Sequence, residues 1–220
     1  CVRIYAYEAL MRPKKMTVGQ LIDEFARDEK LHILEVATFF GATQAYIERG
    51  YQEYLCINSF PSESFTENEA EAFDTYFGNQ KGKRIIEILE YPKVSLREWV
   101  RKSEMVQNKH WKVSLDDFGM GYAGLHQLQQ MKALPVDILK IDKVFIDMLP
   151  EDVSMVPAMI QLARGLSLRI VAEGVENDAQ RRWLQAAGVE VLQGHLFGCA
   201  LPQEAFSARY LSSVREDENL

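Results

Sequence analysis

Hydrophobic and polar residues follow two periods along this chain, one typical of strands and one typical of helices. Apolar runs of strand length occur seven times, with helical stretches between them. The predicted strands are Val2–Leu10, Tyr54–Ser59, Arg84–Glu90, Lys112–Asp116, Val136–Asp142, Leu168–Glu173 and Val189–Gln193. Two of the helices have recognisable ends: Ser95 and Glu98 form a capping box before Trp99, while Asn177 begins and Gly188 ends another. Because strands joined by helices pair in parallel, the pattern predicts a parallel α/β sheet.

Each predicted strand is apolar until its last residues and then carries one polar side chain. These strand-end residues are Glu8, Asn58, Glu87, Asp116, Lys140, Glu173 and Gln193. In a parallel barrel the carboxyl ends of all strands share one face, where the active site is built. A doubly wound sheet does not need a polar residue at every strand end. The pattern therefore favours a TIM-like (β/α)8 barrel, as a single domain over residues 1–220, with one further strand expected before Cys1.

Composition narrows the class of protein and of partner. The 220 residues are 47% hydrophobic and 26% charged, which suits one globular domain with a sizeable core. The net charge is -7, and the sequence has no basic stripe that would bind a nucleic-acid polymer. No apolar run approaches the roughly 18 residues of a membrane span. Three isolated cysteines, Cys1, Cys56 and Cys199, favour a reducing compartment, so a cytoplasmic location is predicted.

Carboxylates dominate the strand ends, and they point to divalent cations. The acids are Glu8, Glu87, Asp116, Asp117 and Glu173. Gathered at one barrel mouth they would repel one another, and some would have to take up protons unless cations neutralised them. Oxygen ligands, with Asn58 adding an amide carbonyl, suit Mg²⁺ or Mn²⁺ better than Zn²⁺. The adjacent Asp116 and Asp117 can bridge two metals about 3.5–4 Å apart, the arrangement of phosphoryl transfer, with Lys140 as a nearby cation.

Simpler interpretations stand beside this one. A single acid at a strand end is often a solvated surface group. Glu90 and Glu176 are either loop charges or groups that contact the metal ligands and hold them in place. Arg12 is either a solvated cation or a phosphate contact.

A glycine motif offers a rival fold. Gly119, Gly121 and Gly124 spell GxGxxG after a strand, and Asp142 lies near the distance at which a dinucleotide-binding fold places its ribose-binding acid. A pyrophosphate there would meet Asp116 and the acid after it without a neutralising charge. The rival also leaves the other strand-end acids unexplained.

Several motifs resemble those of the EAL domain family of cyclic di-GMP phosphodiesterases, in family order. They are Glu8-Ala9-Leu10-Met11-Arg12 (EALxR), Ile57-Asn58, Glu87-Ile88-Leu89-Glu90 (ExxE), Asp116-Asp117-Phe118-Gly119 with Gly121-Tyr122 (DDFGxGY), Leu139-Lys140-Ile141-Asp142 (LKID), Glu173-Gly174-Val175-Glu176 (EGVE), and Gln193-Gly194 with Pro202. The resemblance extends from Tyr7 to about Phe206.

The resemblance implies a barrel that hydrolyses cyclic di-GMP to linear pGpG with Mg²⁺ or Mn²⁺. It implies one metal held by Glu8, Asn58, Glu87 and Asp116, and a second held by Asp117 sharing Asp116. Glu173 is then a metal ligand or general base, and Lys140 lies near the nucleophilic water, with Glu8 completing the catalytic set. The expected substrate-binding residues are Leu10, Arg12, Asp142 and Gln193. Glu90 and Glu176 are expected to order the DDFG loop.

Departures from the family pattern leave alternatives open. The family's opening strand has no recognisable counterpart in the 220 residues and is expected before Cys1, and the DDFG loop carries Met120 and Ala123-Gly124 where the family usually has hydroxyl residues. A cyclic di-GMP receptor without catalysis, acting through protein contacts, is therefore the alternative, and a pure protein-interaction domain is the third. The resemblance also implies a homodimer and fusion to sensory or cyclase domains.

Overall fold

The computed structural model describes residues 3–78, 83–88, 94–118, 135–151 and 153–217, leaving aside the side chains of Asp117 and residues 211–217. The strands in these ranges are β1 (Ala6–Ala9), β2 (Tyr54–Ser59), β3 (Arg84–Ile88), β4 (Lys112–Phe118), β5 (Ile138–Ile141), β6 (Arg169–Ala172) and β7 (Val191–Leu192). The helices there are α1 (Val18–Arg27), α2 (Leu31–Arg49), α3 (Glu67–Phe77), α4 (Leu96–Lys109), α5 (Lys143–Ile146), α6 (Val156–Gly165), α7 (Asp178–Ala186) and α8 (Gln203–Asp217).

The seven strands form one parallel sheet whose order follows the chain. Each strand from β1 to β7 pairs with the next, and all six pairings are parallel. A doubly wound sheet would reverse its order at a switch point. This sheet instead curls until its two edges approach each other. The Gln193 amide, directly after β7, donates to Glu8 Oε2 of β1 at 2.6 Å. The predicted TIM-like α/β barrel architecture is confirmed, here with seven strands, while the strand expected before Cys1 stays a prediction.

Apolar side chains pack on both faces of the sheet. On the outer face, Ile57 and Ile86 belong to a buried cluster with Phe39 of α2 and Trp99 of α4. A second outer cluster joins β5 and β6 to α6 and α7. The inner face holds a smaller cluster of Cys56, Ile85, Ile138 and Val171. This inner layer closes the barrel below the strand ends, so the polar strand-end residues rest on an apolar floor.

The helix ends follow from local hydrogen bonds. The Ser95 hydroxyl accepts from the Glu98 amide, and the Glu98 carboxylate accepts from the Ser95 amide, so the predicted capping box is confirmed. Asn177 caps α7, and Gly188 follows that helix with a φ of 81°. These residues fix where α4 and α7 begin and where α7 ends.

Substituting glycine for His110 should stabilise the protein. His110 ends α4 in the left-handed conformation, with a φ of 54°, and its side chain is exposed. The left-handed conformation costs a residue with a Cβ about 1–2 kcal/mol. Glycine avoids this cost, but part of the gain is lost because glycine has more conformational entropy in the unfolded chain. We expect His110→Gly to raise the free energy of unfolding by about 0.5–1 kcal/mol, measured by urea denaturation. Arg101→Gly, on the exposed face within α4, should lower it by about 1 kcal/mol; a decrease for His110→Gly would contradict the prediction.

Candidate active site

The polar strand-end residues share the inner face of the curled sheet. Residues in register on parallel strands point to the same side, and Asn58 is in register with Glu87. Glu8 is in register with Cys56, which lies two positions before Asn58 and therefore on the same side. The remaining strand-end residues follow the same alternation, on β4 and β5 and directly after β6 and β7. The sequence pattern thus places one cluster at one end of the barrel.

Lys140 is the centre of this cluster. Its ammonium lies 2.9 Å from Glu87 Oε1, 3.1 Å from Asp116 Oδ1 and 2.5 Å from Glu173 Oε1. The lysine side chain is only 2% exposed, as is that of Glu87. Three strands beside or near β5 therefore direct a carboxylate at one buried cation. The sequence predicted a cation near the acids, and the structure brings it into direct contact with three of them.

A second group joins the two edges of the sheet through Glu8. The Asn58 amide donates to Glu8 Oε1 at 3.3 Å, and the Gln193 amide donates to Glu8 Oε2 at 2.6 Å. Each oxygen of the carboxylate thus accepts one hydrogen bond from a neutral amide. Glu8 is held between β2 and the residue after β7, with its orientation fixed from both sides.

Burial and mutual repulsion change the protonation of the acids. Burial raises the pKa of Glu87 to about 8, against the pull of Lys140 and with a further push from Glu8 and Asp116. Burial raises the pKa of Glu173 to about 7 in the same way. The surrounding carboxylates raise the pKa of Lys140 well above its ordinary value despite the opposing effect of its burial, so the lysine stays charged. One cation does not neutralise the whole group, and the site has a further affinity for positive charge.

The metal-free protein should lose stability as the pH rises from about 5.5 to 8. In the unfolded chain both glutamates ionise near 4.5, whereas in the folded chain they ionise at about 7 and about 8. The unfolded chain therefore holds fewer protons in this window, and the free energy of unfolding falls until the folded-state pKa values are passed. Urea midpoints in EDTA at the two pH values measure this. Glu87→Gln should flatten the slope, and Mn²⁺ should stabilise more at pH 8; a midpoint that rises with pH would refute the expectation.

The donor set fits a hard divalent cation. Glu87 Oε2 is buried, and the described residues provide it with no hydrogen-bond partner that meets ordinary geometry, so this oxygen can take another partner. The other donors are carboxylate and amide oxygens, which Mg²⁺ and Mn²⁺ prefer. Within the described part of the chain, no group of three or more His, Cys, Asp or Glu side chains has an arrangement that could hold a metal ion as it stands. Three of the acids contact the Lys140 ammonium, which occupies the point where they meet. The side chain of Asp117 lies outside the described residues.

The predicted substrate-binding residues lie at the rim of the same end. Leu10 and Arg12 follow β1, and Leu10 is 41% exposed. The Arg12 guanidinium is also exposed and donates to the carbonyl of Met11 at 2.8 Å. Asp142 follows β5 and caps α5, since its carboxylate accepts from the Val144 amide at 2.8 Å. Their roles toward substrate stay predictions.

Glu176 contacts a neighbouring helix. Its carboxylate accepts from Lys143 of α5 at 2.9 Å, and Lys143 also pairs with Asp147. This bridge ties the loop after β6 to the start of α5. The DDFG loop that Glu176 was expected to order lies outside the described residues from position 119 onward. Glu90, Met120 and Ala123-Gly124 lie outside them as well.

Two motif glycines are required by close packing of the loops at this end. Gly174 has a φ of 69°, and a Cβ there would lie 2.4 Å from Cγ of Lys143. At Gly194, a Cβ would lie 2.2 Å from the carbonyl oxygen of Val175. The Val175 amide in turn donates to the carbonyl of Gln193 at 2.9 Å. The loops after β6 and β7 are therefore locked together, which holds Glu173 and Gln193 side by side.

Sequence reasoning missed a buried ion pair behind the site. Glu35 of α2 and Lys102 of α4 are fully buried and lie 2.7 Å apart. A signal for them exists in the pattern, because Glu35 shares the buried stripe of α2 with Phe39, Thr43 and Tyr46. A charged residue in an apolar stripe needs a partner.

Comparisons with known proteins agree with the fold. The EAL domain model matches residues 55–200. The probable cyclic di-GMP phosphodiesterase PdeB of Escherichia coli (strain K12) is 49% identical over 94 residues, covering 43% of this chain and only 17% of that protein.

Two solved structures show the same architecture. The PaMucR phosphodiesterase in complex with c-di-GMP has a TM-score of 0.76 and 26% identity, covering 93% of this chain and 88% of that one. The EAL domain of Mycobacterium smegmatis DcpA has a TM-score of 0.69 and 29% identity, covering 94% and 89%. Among the residues that the structure describes, the helices are too short or too polar for any of them to cross a membrane.

Proposed function

Because this chain belongs to the EAL domain family, we propose that it is a divalent-metal phosphodiesterase that hydrolyses cyclic di-GMP to linear pGpG. The observation that carries the proposal is the convergence of Glu87, Asp116 and Glu173 on Lys140 at the carboxyl end of the barrel. The curated relative PdeB and the c-di-GMP complex of PaMucR support the choice of substrate.

The metal ligands that we propose are the strand-end oxygens. Glu8, Asn58, Glu87 and Asp116 would hold one ion, and Asp117, sharing Asp116, would hold the second, with Glu173 as a further ligand. When bound, two such ions supply an activated water and a counter-charge for the phosphate. Both Mg²⁺ and Mn²⁺ suit this oxygen set.

The protein's own groups then divide the work. Glu173 has its pKa raised to about 7, so its carboxylate can accept a proton from water near neutral pH. Lys140 holds that carboxylate at 2.5 Å and keeps its positive charge, which stabilises negative charge developing on a phosphate oxygen. Asn58 and Gln193 orient Glu8. Arg12 and Leu10, on the exposed rim, would contact the dinucleotide, with Arg12 paired to a phosphate.

The test is conversion of cyclic di-GMP in the presence of Mn²⁺ or Mg²⁺, with the product separated by chromatography. The native chain should form linear pGpG, and EDTA should stop the reaction. Glu8→Gln should remove activity because it keeps the shape of the side chain but removes the charge. Glu190→Gln, at an exposed acid before β7, should leave activity unchanged. If the nucleotide binds saturably but no product forms, the receptor alternative replaces the enzyme.

A further inference from the structure

A dehydrated polar network lies on the outer side of β2, directly behind the candidate active site. Lys102 of α4 donates to Glu35 Oε1 at 2.7 Å and to Ser59 Oγ at 2.8 Å. The Ser59 hydroxyl donates to Glu35 Oε1 at 2.6 Å, and the Phe60 amide donates to Glu35 Oε2 at 3.0 Å. Two helices thus clamp the last residue of β2 and the residue that follows it.

The stability of the fold does not by itself require this network. Both charged side chains are 0% exposed, so both lose their hydration completely on folding, which is unfavourable. Apolar residues of similar volume often serve a core equally well or better. The bonds of the pair instead converge on Ser59 and Phe60, and they fix this piece of backbone in one place more tightly than apolar packing would.

The clamped piece of backbone adjoins a proposed metal ligand. Ser59 follows Asn58, and the alternation of a strand sends Ser59 outward to the helices and Asn58 inward to the barrel. Asn58 donates to Glu8, so a shift of the strand end would disturb two proposed ligands together. Groups that orient metal ligands from behind change metal affinity by about 10-fold to 100-fold when they are removed.

We propose that Glu35 and Lys102 are positioning residues that fix Asn58, through Ser59 and Phe60, in the orientation in which it binds a divalent metal ion. The inference rests on the proposed function in so far as Asn58 is a metal ligand. Glu35 and Lys102 themselves touch neither metal nor substrate. A purely structural role would change stability and leave metal affinity and the orientation of Asn58 as they are.

The decisive variant replaces both charges, as Glu35→Met with Lys102→Met, so that no buried charge is left alone. Ser59→Ala is the second variant, since it keeps the ion pair and removes one link to β2. Ser103→Ala is the matched control: it is a buried neighbour of Lys102 whose hydroxyl bonds to Gln107 within α4. Each purified protein is titrated with Mn²⁺ by calorimetry, and the side-chain amide of Asn58 is followed by ¹⁵N NMR.

We expect the double variant to fold and to bind Mn²⁺ about 10-fold more weakly than the native protein. Ser59→Ala should show a smaller loss and Ser103→Ala none. The Asn58 amide signals should shift and broaden in the first two variants before any metal is added. In turnover of cyclic di-GMP, the double variant should need more Mn²⁺ for half-maximal rate, with less change at saturating metal.

Native Mn²⁺ affinity and native Asn58 signals in a folded double variant would overturn the inference, as would the same values in Ser59→Ala if the double variant does not fold. A native protein that binds no Mn²⁺ would overturn it as well. The proposed function fails separately: if the native protein binds Mn²⁺ without hydrolysing cyclic di-GMP, the loss of affinity in the variants still supports the positioning role.

Discussion

Replacing Lys140 with methionine should lower the rate of the proposed cyclic di-GMP hydrolysis by at least about 10²–10³-fold, as removal of one preorganised charge at a reacting oxygen does. The substitution removes the cation that contacts Glu87, Asp116 and Glu173. Without it, Glu87 should keep its proton to a higher pH, and the carboxylate of Glu173, which we propose accepts a proton from water, should lose its contact with Lys140. The rate constant at saturating Mn²⁺, measured by product formation, is the readout.

The same substitution should also destabilise the metal-free fold, by about 3–5 kcal/mol, because buried acids lose their partner. Urea unfolding in EDTA measures this loss, and Mn²⁺ should return part of it. Lys30→Met, which removes an exposed lysine paired with the exposed Asp28, should change neither rate nor stability. A Lys140→Met protein that retains a near-native rate would exclude the assigned role.

Lys102→Met on its own should be among the most damaging core substitutions in the chain. It leaves the Glu35 carboxyl group fully buried without its cation, and its remaining partners among the described residues are Ser59 and the Phe60 amide. We expect the free energy of unfolding to fall by about 3–5 kcal/mol. Adding Glu35→Met should restore most of that loss, because the double variant leaves no buried charge without a partner. Urea denaturation of the two single variants and the double variant gives the coupling energy.

A cost below about 1 kcal/mol for Lys102→Met, or a double variant no more stable than the single one, would contradict this account. The exposed ion pair of Arg181 and Asp178 offers a comparison on α7. Removing that arginine should change the midpoint little, since exposed pairs contribute little to stability.

The inner face of the sheet could be predicted because the side chains of a strand alternate with a period of two. β2 agrees exactly with its predicted range, Tyr54–Ser59. β1 is shorter than predicted, at Ala6–Ala9 rather than Val2–Leu10, since apolar residues continue beyond the part that pairs with β2. β4 extends two residues further, to Phe118, through an irregular register with β5 between Leu115 and Phe118.

Contacts between elements could not be predicted in the same way. The sequence placed Lys140 near the acids, but which of them it meets depends on how far the sheet curls. Glu35 and Lys102 are 67 positions apart, and a stripe pattern shows that each is buried without showing its partner. The orientation of Glu8 depends on Gln193 at the opposite edge of the sheet. The pattern within each strand does not predict a contact between the two edges.

The hydrogen bond between Gln193 and Glu8 joins residues separated by 185 positions. During synthesis, Glu8 leaves the ribosome long before its partner exists, and domains fold as units once enough chain has emerged. The strand ends can therefore be brought together only when translation has passed β7. Until then Glu8 lacks one of the two amides that orient its carboxylate, so the strand-end cluster is completed only after β7 has been synthesised.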